Sequence, residues 1–199
     1  MRRPVIAVAG LAPRTGTTVV ARAIGVALAA RDPGGAGAVT ATGTVPLSIG
    51  LPAAGRLARA LAPMAPGGTR AVGRLCLVRG ADPAELSAGV HGLAPLVIDV
   101  AEAADAAVAT SLADEVVLVA APEAEPALAR VVADNLAAVG PAPVIVVNRG
   151  RSDRQAWAAV ADVVLSESRM AARAALAGRE GRGVFGDAIA GLVHRLVGP

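Results

Sequence analysis

The stretch GLAPRTGTT, Gly10–Thr18, decides the fold. It ends the apolar run VIAVAG (5–10) and opens the periodic run VVARAIGVALAAR (19–31). Strand, glycine-containing turn and helix in that order form the setting of a phosphate-binding loop. The lysine of that motif is missing, because Thr17 stands between Gly16 and Thr18. No lysine elsewhere can replace it: the basic residues are all arginine. Much of the loop's chemistry does not need the ammonium group. N–H groups at the start of the helix point at an anion, and the helix dipole adds partial positive charge there. Gly16 lets the backbone approach a phosphate closely. The Thr18 hydroxyl is suited to Mg²⁺. Losing one preorganised donor to developing charge costs about 3–4 kcal/mol of transition-state stabilisation, so hydrolysis suffers more than ground-state binding. The loop alone does not separate a nucleotide site from an ordinary strand-to-helix turn.

Outward from the loop, short β-rich runs alternate with alanine-rich helical patterns. Strands are predicted at 5–9, 37–42, 73–80, 95–100, 115–121, 143–148 and 162–166. Helices are predicted at 16–31, 54–62, 82–90, 101–113, 123–140, 153–160, 168–177 and 184–197. Residues 43–70, rich in Pro, Gly and Ala, give the least regular signal. Strands that are apolar along their whole length, alternating with helices, imply an α/β fold. The expected form is three-layered: a mainly parallel sheet with helices on both faces, like a P-loop NTPase. The 199 residues suit one domain spanning 1–199, and no repeat or long linker divides it.

Composition narrows the function. Hydrophobic residues make up 54% and charged residues 18%, which excludes general disorder. One Trp, one Phe and no Tyr argue against base-stacking platforms for single-stranded nucleic acid. The net charge of +3 is only a weak pointer to an anionic partner. The lone cysteine, Cys76, excludes an intrachain disulfide and reads as a buried strand thiol. No run reaches the ~18 apolar residues of a spanning helix, and a cytoplasmic protein is expected. Trp157 and His91 read as packing or surface residues.

Two further stretches matter. PLVIDVAEA (95–103) ends a buried strand on Asp99, placed to hold metal-bound water or, alternatively, to cap a helix starting near Glu102. VIVVNRGR (144–151) ends a strand on Asn148 and Arg149, where an Asn also tolerates a left-handed turn. With the loop, these features in this order resemble the ParA/MinD family of deviant P-loop ATPases over most of the chain. RTGTT (14–18) is most similar to the CpaE/TadZ-like branch, which often carries a small residue before the threonine. The resemblance implies ATP or ADP and Mg²⁺ as ligands. It implies nucleotide contacts from Ala12, Pro13, Arg14, Thr15, Gly16, Thr17 and Thr18, with Asn148 on adenine and Arg149 beside it. It implies Asp99 as the catalytic group and Thr18 with Asp99 as metal holders.

The departures are as informative. Ala12 stands at the family's signature lysine, Thr17 at its second lysine, and Pro13 and Arg14 at two glycines. The family's acidic residue after the second strand is absent, since no Asp or Glu lies between Asp32 and Asp82. The expectation is therefore a nucleotide-binding protein with weak or absent ATP hydrolysis. It would act as a localisation or assembly factor in pilus assembly or in septum or pole placement. A homodimer with a protein partner is expected, and DNA is not. Two alternatives stay open: an active synthetase of the dethiobiotin/cobyric acid type, and a scaffold pseudo-enzyme that binds no nucleotide. The C-terminal run Phe185, Ile189, Leu192, Val193, Leu196 and Val197 has helical spacing. It packs on the sheet or lies on an anionic membrane, peripheral to the inner membrane; packing is the preferred reading.

Overall fold

The computed structural model describes residues 3–41, 49–100, 103–150 and 154–198. Thr42, the end of an expected strand, and the helix start expected near Glu102 lie outside these residues. The chain runs β1 (Val5–Gly10), α1 (Thr17–Arg31), β2 (Gly37–Thr40), α2 (Pro52–Leu61), β3 (Thr69–Val72), β4 (Leu75–Val78) and α3 (Pro83–Val90). It continues with β5 (Leu96–Val100), α4 (Ala103–Leu112), β6 (Glu115–Ala120), α5 (Pro126–Ala137), β7 (Val144–Gly150), α6 (Arg154–Trp157), β8 (Val163–Ser166), α7 (Arg169–Leu176) and α8 (Gly183–Val197). The strands form one eight-stranded sheet in the order β3-β4-β2-β5-β1-β6-β7-β8. Every neighbouring pair is parallel except β3–β4.

Strand periodicity divides the core between the two faces. Ala7 and Ala9 of β1 point into one layer with α2, α3, α4, α5 and Trp157. Ile6 and Val8 point into the other, with α1, α7 and α8. Helix α1 is buried on nearly all sides between the sheet and α7 and α8, which explains why its sequence is apolar all round. Its close approach to the sheet depends on Gly25, where an added Cβ would lie 2.7 Å from Val39 Cγ2. Phe185, Ile189, Leu192, Val193 and Leu196 of α8 are buried in the same layer. The apolar face that a membrane would need is thus in the core, as the packing reading expected. Cys76 is buried in β4, and burial pushes its thiol up to about 12.

The single strand expected at 73–80 is instead half of a hairpin. Thr69–Val72 pairs antiparallel with Leu75–Val78, and Gly73 (φ 53°) forms the turn. The Pro, Gly and Ala around it hid this edge strand, and Arg70 at its exposed position suits a sheet edge. The connection from α7 to α8 crosses the hairpin: Arg74 N–H donates to Gly178 O at 2.9 Å. Gly178 has φ 66°, and an added Cβ would land on the Val72 carbonyl. Gly178→Ala is expected to cost at least about 2 kcal/mol through backbone strain and overlap. Urea denaturation checks this, and an unchanged midpoint would refute the crossing.

The topology places the site. From β1 the chain leaves toward β2, on the far side of β5; from β5 it returns to β6, on the far side of β1. The order of strands therefore reverses at β1 and β5, and the crevice at their carboxyl ends is where such sheets bind ligands.

Candidate functional site

Register brings the two halves of the site together. Val8 is level with Asp99 and Ala9 with Val100 across β1 and β5, so loop 10–16 rises directly beside Asp99. Leu11 N–H donates to Val119 O at 2.8 Å and fixes the base of the loop on β6. The loop ends at Gly16, which has φ 86° and ψ 23° and precedes the first turn of α1. No side chain caps this end of α1. Val19 and Val20 donate N–H to Gly16 O at 3.0 and 3.1 Å, which starts the helical ladder. Thr17 and Thr18, whose N–H groups have no helical partner, line a cleft of about 610 Å³.

The cleft is lined by Ala9–Arg14, Gly16–Val19, Asp99, Val100 and Ala106. Seven of the residues singled out in the sequence meet there: Ala12, Pro13, Arg14, Gly16, Thr17, Thr18 and Asp99. Ala12, Pro13 and Arg14 are exposed at its rim. Thr17 turns inward, and its hydroxyl lies 2.9 Å from that of Thr15. The two hydroxyls sit over Gly10, where an added Cβ would come within 2.8 Å of Thr15 Oγ1. Thr15 itself is buried.

The structure places Asn148 and Arg149 behind the loop, outside the lining of the cleft. Asn148 is buried at the end of β7, and its Nδ2 donates to Thr15 O at 2.9 Å. Arg149 Nη2 donates to Arg14 O at 3.0 Å.

Asp99 lines the cleft beside Thr18. It is 5% exposed, and Oδ2 is buried with no hydrogen-bond partner among the described residues. Its main chain is held by Thr40 on β2: Asp99 N–H donates to Thr40 Oγ1 at 2.7 Å. Burial raises the carboxyl above its ordinary value, while a hydrogen bond with Thr18 and the charge of Arg22 pull the other way. An oxygen left unpaired in such a place is costly to bury. With the Thr18 hydroxyl beside it, the donor set is one carboxylate and one hydroxyl, both hard oxygens. That set fits Mg²⁺, which commonly takes one or two carboxylates and completes its shell with water and phosphate. No group of three or more His, Cys, Asp or Glu occurs among the described residues.

Arg22 is the residue that sequence reasoning missed. It is 2% exposed, and Nη1 donates to Leu176 O at 3.2 Å. Burial lowers its pKa, and Asp99 offsets part of that. A sequence signal existed: Arg22 lies four residues after Thr18, on the same helix face. Its charge acts on Asp99 from outside the cleft lining.

Comparison with family models and with curated proteins finds no match. Comparison with solved structures does. The chain is similar to the MinC:MinD cell division protein complex of Aquifex aeolicus (TM-score 0.65, 17% identity, 98% of this chain and 96% of that one). It is similar to a ParA family ATPase from Chlorobium tepidum TLS (TM-score 0.64, 12% identity, 98% and 100%). The MinD cell division protein of Aquifex aeolicus gives TM-score 0.66, 16% identity and 98% coverage of both chains. The expected architecture is thereby matched along almost the full length: the chain has the fold of the MinD and ParA family ATPases.

Proposed function

We propose that the chain is a ParA/MinD-like protein that binds ATP or ADP with Mg²⁺ and hydrolyses ATP slowly or not at all. The observation that carries this reading is the uncapped end of α1 at a cleft that Asp99 also lines, one carboxylate oxygen of Asp99 being buried without a hydrogen-bond partner among the described residues. Main-chain N–H groups supply the anion site. Thr18 and Asp99 would hold the cation, which when bound neutralises phosphate charge. Asp99 is also the residue placed to orient metal-bound water. What the chain does not provide is an ammonium group on the phosphates, because Thr17 and Ala12 stand where the family's lysines would be. Arg14, exposed at the rim, is the nearest cation on the loop.

The lysine-less loop supports a reading nearest the CpaE/TadZ-like branch. Its work is then localisation or assembly, in a pilus, septum or pole system, rather than energy transduction. A homodimer with a protein partner fits this role, in line with the MinC partner of one structural neighbour. No described helix is long and apolar enough to cross a membrane. Since the apolar face of α8 is in the core, contact with a membrane surface would have to use other residues.

The test is a calorimetric titration of the protein with ADP and ATP, with and without Mg²⁺, beside a turnover assay. Mg²⁺-dependent binding of both is expected, with turnover about 10²–10³-fold below lysine-bearing relatives. No binding at millimolar nucleotide would overturn the reading. Turnover comparable to those relatives would overturn the impaired-hydrolysis part alone.

A further inference from the structure

Asn148 and Arg149 bond to consecutive loop carbonyls more than a hundred residues away, Asn148 Nδ2 to Thr15 O and Arg149 Nη2 to Arg14 O. The backbone on both sides is bent to permit this. Among the described residues, Arg14 (φ 68°) and Arg149 (φ 61°) are the only non-glycine residues with positive φ, a conformation that L side chains rarely adopt. The β7–β8 register slips between Asn148 and Gly150. This is a β-bulge at Arg149, a device that re-aims a side chain at the end of a strand. The third loop residue is fixed as well, since an added Cβ at Gly16 would land on Asn148 Nδ2.

Peptide geometry gives these contacts a direction. In a trans peptide the C=O of one residue and the N–H of the next point opposite ways. Pulling the carbonyls of Arg14 and Thr15 back toward β7 therefore turns the N–H groups of Thr15 and Gly16 away from β7. Of these two residues Gly16 lines the cleft, next to the open N–H groups at the start of α1.

We propose that Asn148 and Arg149 are positioning residues for the polyphosphate group, straps that aim the loop N–H groups, rather than readers of the base. The proposal rests on the nucleotide reading above and reassigns two of its residues. Asn148 already commits one amide hydrogen to the loop and is only 5% exposed. Arg149 is exposed, so its side chain can be changed without disturbing the core.

Inorganic pyrophosphate separates the two roles because it has no base. Binding of pyrophosphate and of ADP, each with Mg²⁺, is measured for wild type, Asn148→Asp, Arg149→Gly and Arg149→Lys. Asn148→Asp keeps the shape but sets a carboxylate oxygen against the Thr15 carbonyl. Arg149→Gly removes the strap while relieving the positive φ, so it stays folded even where Asn148→Asp does not; thermal melts confirm which variants are compared. Asn148→Asp and Arg149→Gly are expected to weaken both ligands by the same factor, about tenfold, with Arg149→Lys recovering part of the loss. A loss confined to ADP would make these base-reading residues and overturn the proposal. Wild-type binding of both ligands with unaltered variants would overturn it too, leaving the nucleotide reading intact. Wild-type protein that binds neither ligand would overturn the nucleotide reading, and the straps' anion role with it.

Discussion

Gly16→Ala is expected to abolish nucleotide binding and to lower stability by about 2–3 kcal/mol. Two independent costs fall on one atom. The residue has φ 86°, which an L side chain rarely adopts. The new methyl would also fall on the Asn148 amide, which is buried and cannot swing away without losing its bond to Thr15 O. Relief of either strain moves the loop. Rotating Gly16 out of the left-handed region re-aims the first N–H groups of α1, and displacing Asn148 frees the Thr15 carbonyl. Ligand affinity should therefore fall by far more than the stability loss alone would give, since the folded variant would no longer present the anion site. Urea denaturation and ADP titration of the same sample measure the two effects. A variant that binds ADP as wild type does would show that the loop geometry described here is not the binding geometry.

Asp99→Asn is expected to have opposite effects with and without a cation. Burial holds the Asp99 carboxyl above its ordinary value of 3.8 in the folded chain. The sign follows from that direction. A raised acid favours folding while it is protonated in both states, and its ionised form opposes folding as pH rises from the unfolded value through the folded one. At neutral pH without Mg²⁺ the aspartate is thus a net cost, and the amide should raise the melting temperature. The gain should shrink toward zero as pH falls below about 3.8, the ordinary value. With Mg²⁺ and ADP present the order reverses, because the neutral amide is a poorer ligand for a hard dication than a carboxylate. Wild type should gain stability by ligand linkage, and the variant should gain much less. Melting curves over pH, with and without Mg²⁺–ADP, check both limbs. A variant less stable than wild type at neutral pH without cation would mean that the Thr18 hydrogen bond and Arg22 outweigh the burial of Asp99.

Both expectations depend on contacts that differ in how far the sequence exposes them. Asp99 was legible because a carboxylate closing an apolar run, LVID, has few reasons to be there other than chemistry or capping. Arg22 was not, because a basic residue inside an alanine-rich helix reads as an exposed one until α7 is laid over it. The hairpin at 69–78 escaped for a different reason. A short edge strand buries little, so neither length nor alternation marks it against the Pro, Gly and Ala around it.

The sequence by itself determined the layered α/β architecture, the place of the loop and the absence of lysine from it. These are properties of periodicity, strand apolarity and residue identity, which need no distant partner. The tertiary structure alone decided that Asn148 and Arg149 sit behind the loop, that Thr17 turns toward Thr15, and that one oxygen of Asp99 is buried without a partner among the described residues. Each of these depends on which strands are neighbours. β5 lies between β1 and β2 although it comes after both in the chain, and no local pattern carries that information, because strand order is settled by how helices and sheet faces can all be buried at once.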